Sequence, residues 1–358
     1  MKKFEHGGNI YDDAPAVYGG SWLDFSANIN PLGLAPEVAQ VIQDNIAGIV
    51  HYPDSQAREL KNALSEHYGI PKEQLILGNG AAELFYLLTH MLRPKRVGIP
   101  IPSFGEYQRA AEAVGAEIVF YPLQAADGFV PDLWQWTLEK DGVDCLFIGN
   151  PNNPTGKLMQ RSQLLEFLPR WEAKGIITVV DESFLDFLPD DGAYSVRALT
   201  GRYKHLLVVR SLTKFYAMPG LRLGFASGHP DLLRQLECGK DVWNVNSLAQ
   251  VAGVAALQLK AYHKRSRNFV QGEKEWLYER LCTVPGFKPI KPGVNFILID
   301  VAATDLSSGE LTARMRSKGI LIRDCANYTG LEGRQYIRVA VRSHRENEQM
   351  LKALEAVI

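Results

Sequence analysis

Between about residues 75 and 240, short apolar runs alternate with stretches whose apolar residues recur at helical spacing. The runs are LILG, RVGIPI, EIVFYPL, VDCLFIG, IITVVD, HLLVVRS and LRLGFAS; AAELFYLLTHML, GEYQRAAEAVG and a helical segment near 161–174 lie between them. Strands and helices in this alternation predict an α/β fold, a mainly parallel sheet covered by helices on both faces. The last third changes texture. One long helix over roughly 246–283 leads to strands in GVNFILIDV, GILIRDC and YIRVAV, with helices at 308–318 and 343–357. That is the pattern of a smaller α+β domain. Residues 1–35, rich in Gly, Asn and Pro, are expected to be irregular. The division expected is therefore 1–35 as an irregular segment, 36–245 as a large α/β domain, and 246–358 as a linking helix with the small domain.

A chain of 358 residues has room for both domains. Its 39 basic and 40 acidic residues leave a formal charge of -1, which recommends neither a nucleic-acid nor a membrane partner. No stretch approaches 18 consecutive apolar residues, and the basic pair in MKKFEHGGNIYDD has no apolar segment behind it. Cys145, Cys238, Cys282 and Cys325 are dispersed, with no CxxC pair, so neither a zinc site nor a disulfide framework is expected. A cytoplasmic protein with reduced thiols and no bound metal is the expectation.

In open α/β sheets, ligands sit beyond the carboxyl ends of the strands. Four runs deliver polar residues there: Asp181 ends IITVVD, Asn150 and Asn153 follow LFIG, the GNGAAE turn follows LIL, and Ser211 follows LLVVR. Three residues on, in SLTKFYAMPGLRLG, stands Lys214. A lysine in an apolar pocket favours its amine form, and a neutral amine condenses with an aldehyde; pyridoxal phosphate is the obvious one. Such a cofactor needs a carboxylate at its ring nitrogen, a phosphate cradle and a ring to stack on. Asp181 can supply the first, although an aspartate at a strand end also serves as a helix cap. Gly80, Ala81 and Ala82 open a helix and can point amides at an anion. Ser211, Thr213 and Arg222 can complete that anion site, arginine being suited to bidentate contact. Phe104, in PSFGEY, can stack on the ring or simply fill the core.

The set NPNNPTG, VVDESF and SLTKFYAMPGLRLG resembles the fold type I pyridoxal-phosphate enzymes of the aminotransferase class I and II group, across essentially the whole chain. The resemblance implies a seven-stranded large-domain sheet. It also implies Lys214 as the Schiff-base lysine, Asp181 at the pyridine nitrogen, Asn153 at the phenolic oxygen, and Ser211 with Arg222 at the cofactor phosphate. Tyr52, in HYPDSQARELKNAL, matches a tyrosine that reaches the neighbouring subunit's cofactor phosphate, so a homodimer is implied. Arg338, in YIRVAVRS, matches the arginine that binds the substrate carboxylate. One departure stands out: many relatives carry a tyrosine in DExY, whereas Phe184 fills that place here. A hydrogen bond to the cofactor is thereby lost, which favours chemistry other than ordinary transamination.

FEHGGNIYDD, LDFSANINPLG, HYPD, RSLTKFYAMPGLRLG, LIRDCANYTGL and YIRVAVRS together resemble the threonine-phosphate decarboxylase family of cobamide biosynthesis, relatives of the histidinol-phosphate aminotransferases. The resemblance implies a phosphoamino acid substrate, L-threonine O-3-phosphate, converted to (R)-1-amino-2-propanol O-phosphate and carbon dioxide. Arg338 is expected at the substrate carboxylate and Arg323 at the substrate phosphate. His6, Asn9 and Asn28 are further candidates for the substrate, His6 with Gly7 and Gly8 folding over the site. The same residues would serve a histidinol-phosphate or related aminotransferase. A cofactor-binding regulator is the remaining class, and no helix-turn-helix or basic region accompanies this chain to support it. Threonine phosphate and serine phosphate differ by one methyl, and no residue distinguishes them in the sequence.

Overall fold

The computed structural model describes residues 6–11 and 21–358. Phe4, Glu5, Asp12 and Asp13 of the FEHGGNIYDD motif lie outside the described residues, as does much of the 1–35 segment.

Strand β1 (Leu23–Asp24) is followed by helices α1 (Pro36–Asn45) and α2 (Arg58–Tyr68). The alternating region then gives β2 (Leu75–Gly78), α3 (Ala81–Leu92), β3 (Arg96–Ile101), α4 (Gly105–Ala113), β4 (Glu117–Pro122) and β5 (Cys145–Gly149). It continues through α5 (Arg161–Ala173), β6 (Ile177–Asp181), β7 (Leu206–Ser211), β8 (Gly224–Gly228) and α6 (Pro230–Glu237). Strands β2 to β8 form one seven-stranded sheet in the order β2-β8-β7-β6-β5-β3-β4. Only β8 runs antiparallel to its neighbours, so the sheet is mainly parallel, as the alternation predicts. Side chains alternate across it. Cys145, Phe147, Val179, Leu207 and Val209 pack with α3, α4 and α6 on one face. Their neighbours Leu146, Ile148, Val180, Leu206 and Val208 pack with α5 on the other, as a period of two requires. Each Val, Leu, Ile or Phe among them, taken fully out of water, contributes about 1.5–3 kcal/mol.

The remainder holds α7 (Ser247–Gln258), α8 (Lys260–Cys282), β9 (Lys288–Pro289), β10 (Phe296–Asp300), α9 (Ser308–Ser317), β11 (Ile320–Leu321), β12 (Arg323–Asp324), β13 (Tyr336–Ala340) and α10 (His344–Val357). The long helix predicted over 246–283 is therefore two. It breaks at Leu259, where the Ala256 carbonyl accepts from the Leu259 amide and from Nε2 of buried His263, a side chain that satisfies a carbonyl the helix has released. Helices α9 and α10 begin at Ser307 and Ser343, each paired with a glutamate three residues on in a capping box. Strands β12, β13, β10 and β9 form an antiparallel sheet, and β1 pairs in parallel with β11. The N-terminal segment is thus less irregular than expected, because Leu23 and Phe25 belong to the core formed by this sheet, α9 and α10.

Candidate active site

The order of the large sheet reverses between β3 and β5, and the carboxyl ends of the central strands open there onto a cavity of about 540 Å³. Lys214, Asp181 and Ser211 lie at its floor, and Phe104 and Asn153 line it from the loops after β3 and β5. The placement follows from alternation. Asp181 and Ser211 face the cavity, whereas their chain neighbours Glu182 and Arg210 face away and pair behind it. Arg210, 1% exposed, donates to Glu182 at 2.8 and 3.1 Å, to Asp186 at 2.9 Å and to Asp191 at 2.7 Å. Buried charges are tolerated where such pairing is complete, and here the pairing ties β6 to β7 one residue from the floor.

The Lys214 ammonium reaches the cavity surface yet is enclosed by protein; its Nζ donates to Ser211 Oγ at 3.1 Å and stands 5.5 Å from the centre of the Phe184 ring. Burial brings it down to about 8, and the charge of Arg222 works in the same direction against that of Asp181. The amine form therefore becomes the major one above about pH 8. Phe184 packs edge-on against Phe296 of β10 at 5.1 Å, so an apolar wall stands beside Lys214.

Asp181 accepts at both oxygens, from the Ser183 amide at 2.9 Å and from the Tyr107 hydroxyl at 2.7 Å. Tyr107 is absent from the sequence expectations. Its spacing was a usable signal: it follows Phe104 by three residues across the first turn of α4, which places the two side by side. Gly80 precedes α3 at φ +84°, and a Cβ there would lie 2.2 Å from the Arg222 guanidinium. A Cβ on Gly224 would lie 2.5 Å from the Ala81 amide. Both glycines are needed for the α3 terminus to approach Arg222 so closely. Ser211 Oγ and Thr213 Oγ1 are 2.6 Å apart, and Ala81, Ala82 and Arg222 line the same end of the cavity. That cluster of amides, hydroxyls and one guanidinium is suited to an anion.

The substrate candidates separate into four groups. Arg338 and Asn28 line the main cavity. Arg338 donates to the Ser26 carbonyl at 2.7 Å, to the Tyr328 hydroxyl at 3.2 Å and to Asn153 Oδ1, while its buried Nε has no partner among the described residues. Asn28 Oδ1 and Ser183 Oγ, also on the cavity, are buried without partners among the described residues. Arg323 is the direct cross-strand neighbour of Arg338, yet it opens onto a smaller adjoining cavity of about 30 Å³. Tyr328, which the sequence did not single out, stands between them: it accepts from Arg338, and its ring centre is 5.3 Å from the Arg323 guanidinium. His6 borders both cavities. Its Nε2 lies 2.6 Å from Glu106, which also accepts from Tyr86 and Arg109. Burial pushes the Glu106 carboxyl up, but the hydrogen bonds from His6 and Tyr86 and the charges of His6 and Arg109 prevail and hold it at about 2. Asn9 is exposed and lines neither cavity; its Oδ1 accepts from the Tyr11 amide.

Tyr52 is likewise outside the cavity. It is 77% exposed and stacks on Trp243 at 4.3 Å, near exposed Ile46, Ile49, Val50 and Val242. Among the described residues no group of His, Cys, Asp and Glu is arranged to hold a metal, and no helix is long and apolar enough to cross a membrane.

Comparison with known proteins bears on this geometry. The aminotransferase class I and II family model matches residues 20–357. The threonine-phosphate decarboxylase of Salmonella typhimurium is 40% identical over 99% of this chain and 96% of its own. The histidinol-phosphate aminotransferase of Symbiobacterium thermophilum is 32% identical over 94% of this chain and 90% of its own. The solved histidinol-phosphate aminotransferase from Clostridium acetobutylicum superposes with a TM-score of 0.86 at 29% identity, covering 93% of this chain and 98% of that one.

Proposed function

Because the chain belongs to the aminotransferase class I and II family, we propose that it is a pyridoxal-phosphate-dependent decarboxylase acting on L-threonine O-3-phosphate. The products are (R)-1-amino-2-propanol O-phosphate and carbon dioxide, a step of cobamide biosynthesis. The observation that carries the choice of reaction is the 40% identity, end to end, with a threonine-phosphate decarboxylase, against 32% for the histidinol-phosphate aminotransferase. The fold alone does not choose, since an aminotransferase superposes on it closely.

The residues fit the cofactor. The lysine is deep and partly neutral near physiological pH. The α3 terminus is pressed against Arg222 by two glycines that admit no side chain, and Asn28, Ser183 and Arg338, which line the cavity, each keep a buried polar atom without a partner among the described residues. Lys214 would hold the aldehyde carbon, Asp181 the ring nitrogen, Asn153 the phenolic oxygen and Phe104 a ring face. The Gly80–Ala82 turn with Ser211, Thr213 and Arg222 would hold the phosphate. When bound, the cofactor supplies an aldehyde for the amine and a protonated ring able to take up the electron pair released at substrate Cα.

Arg338 binds the substrate carboxylate and thereby sets the orientation of the Cα substituents, which decides the bond that breaks. Asn28 and His6 close the polar side of the cavity, and Arg323, beyond Tyr328, receives the substrate phosphate. Phe184 and the surrounding apolar wall exclude water from Lys214, whose Nζ delivers a proton to Cα once carbon dioxide has left. Positioning of this kind contributes up to roughly 7–11 kcal/mol in favourable cases. The exposed apolar set around Tyr52 supports a homodimer in which Tyr52 serves the partner's cofactor phosphate. We place the enzyme in the cytoplasm, with 36–245 and 246–358 as its large and small domains.

Purified protein given phosphothreonine should release carbon dioxide without consuming 2-oxoglutarate. Stoichiometric glutamate would overturn the decarboxylase reading and leave an aminotransferase.

A further inference from the structure

We infer that Tyr107 is a positioning residue of this site: its hydroxyl fixes the Asp181 carboxylate in the orientation that addresses the ring nitrogen of pyridoxal phosphate. The inference rests on the cofactor role proposed for Asp181 and adds a residue that no motif pointed to.

The geometry is specific. Tyr107 Oη donates to Asp181 Oδ2 at 2.7 Å while the Ser183 amide donates to Oδ1 at 2.9 Å, so the carboxylate is held from both oxygens and cannot swivel about its own axis. The phenol ring is itself immobilised. It stacks on Phe147 of β5 at 5.3 Å with planes 7° apart, and meets the edges or faces of Phe85 at 5.1 Å and Phe104 at 5.7 Å, both near perpendicular. Room for the hydroxyl is made by Gly149 at the end of β5, where a Cβ would come within 3.3 Å of it. Burial and the neighbouring Asp181 charge raise the phenol well above its ordinary value, so the group remains a donor at any working pH.

One turn of α4 thus serves the cofactor twice, through Phe104 against a ring face and through Tyr107 upon the carboxylate at the ring edge. A hydrogen bond donated to an ionised carboxylate is stronger than a neutral one, and removing the donor leaves a buried oxygen without its partner. A Tyr107 that merely fills the core would have no preference for what Asp181 binds. The two roles are separable by altering the ring nitrogen.

The experiment titrates apoenzyme, wild type and Tyr107→Phe, with pyridoxal phosphate and with its carbon analogue in which C–H replaces the ring nitrogen. Binding is read as a dissociation constant from cofactor absorbance and from equilibrium dialysis. We expect Tyr107→Phe to weaken pyridoxal phosphate by roughly 10- to 100-fold, from the cost of losing a hydrogen bond to a charged group. The analogue should change by less than about twofold, because it places no N–H against Asp181. Equal losses for both ligands would make Tyr107 a packing residue only, and no loss for pyridoxal phosphate would dismiss it altogether. Both ligands meet the same Tyr107→Phe preparation, so general loosening appears as equal loss. Wild-type protein that binds no pyridoxal phosphate would overturn the cofactor reading as well, whereas transamination in place of decarboxylation would leave this inference standing.

Discussion

The floor of the cavity and its rim are built differently. Asp181 and Ser211 stand on the ends of two adjacent parallel strands, with Lys214 in the turn just after the second, locked from behind by Arg210, Glu182 and Asp186. The rim is gathered from far apart in the chain: His6 on an N-terminal segment, Tyr328 in a loop, Arg323 and Arg338 on the small sheet. A rigid floor suits covalent attachment of a cofactor, and a rim drawn from several elements suits selection of a substrate. If the comparison is right, floor substitutions abolish cofactor binding or the fold, and rim substitutions change substrate kinetics with the cofactor retained.

The largest effect is expected at the floor. Lys214→Ala should lose the covalently linked chromophore and lower kcat by at least roughly 10³-fold, a loss typical of removing the group that makes the covalent bond. Absorbance of the purified variant and single-turnover assays check it. Arg210→Met tests the lock behind the floor. Removing the cation leaves Glu182 and Asp186 buried beside each other, and urea unfolding should show a destabilisation of about 3–5 kcal/mol. A small loss would mean that β6 and β7 are held by their ladder alone.

At the rim, Arg338→Ala should reduce kcat/KM for phosphothreonine by about 10²-fold, because the carboxylate would no longer be oriented. Cofactor absorbance should be nearly unchanged; its loss would erase the distinction between rim and floor. The smallest effect belongs to Glu106→Gln, which loosens the hold on His6 and should raise KM a few-fold with kcat preserved. The sign of its pH dependence is fixed. Glu106 lies at about 2 in the folded protein against an ordinary 4.5, so it contributes stability that is present above about 4.5 and is lost as pH falls toward about 2. The difference in melting temperature between wild type and Glu106→Gln should therefore narrow across that window.

The same contrast explains what the sequence revealed. Lys214, Asp181, Ser211 and Arg222 sit in two short motifs at strand ends, where local pattern and the general location of ligands in α/β sheets coincide. The break at Leu259 left no trace, because neither Pro nor Gly marks it and the carbonyl it releases is satisfied by His263, a side chain that reads as helical in the sequence. Tyr107 and Tyr328 passed unnoticed because an aromatic residue reads as core until its hydroxyl is seen to face a carboxylate or a guanidinium. Arg323 and Arg338 are direct cross-strand partners; that Tyr328 divides the cavity between them depends on how a loop folds back. Asn9 and Tyr52 are exposed and line neither of the two cavities.

The reaction itself is tested most directly with phosphothreonine carrying deuterium at Cα. Decarboxylation breaks the bond from Cα to the carboxylate and adds one proton, so the amine product should retain the deuterium in full while carbon dioxide is released. Loss of the deuterium with formation of an oxo acid would contradict the account, because the Cα–H bond would then be the one this site breaks.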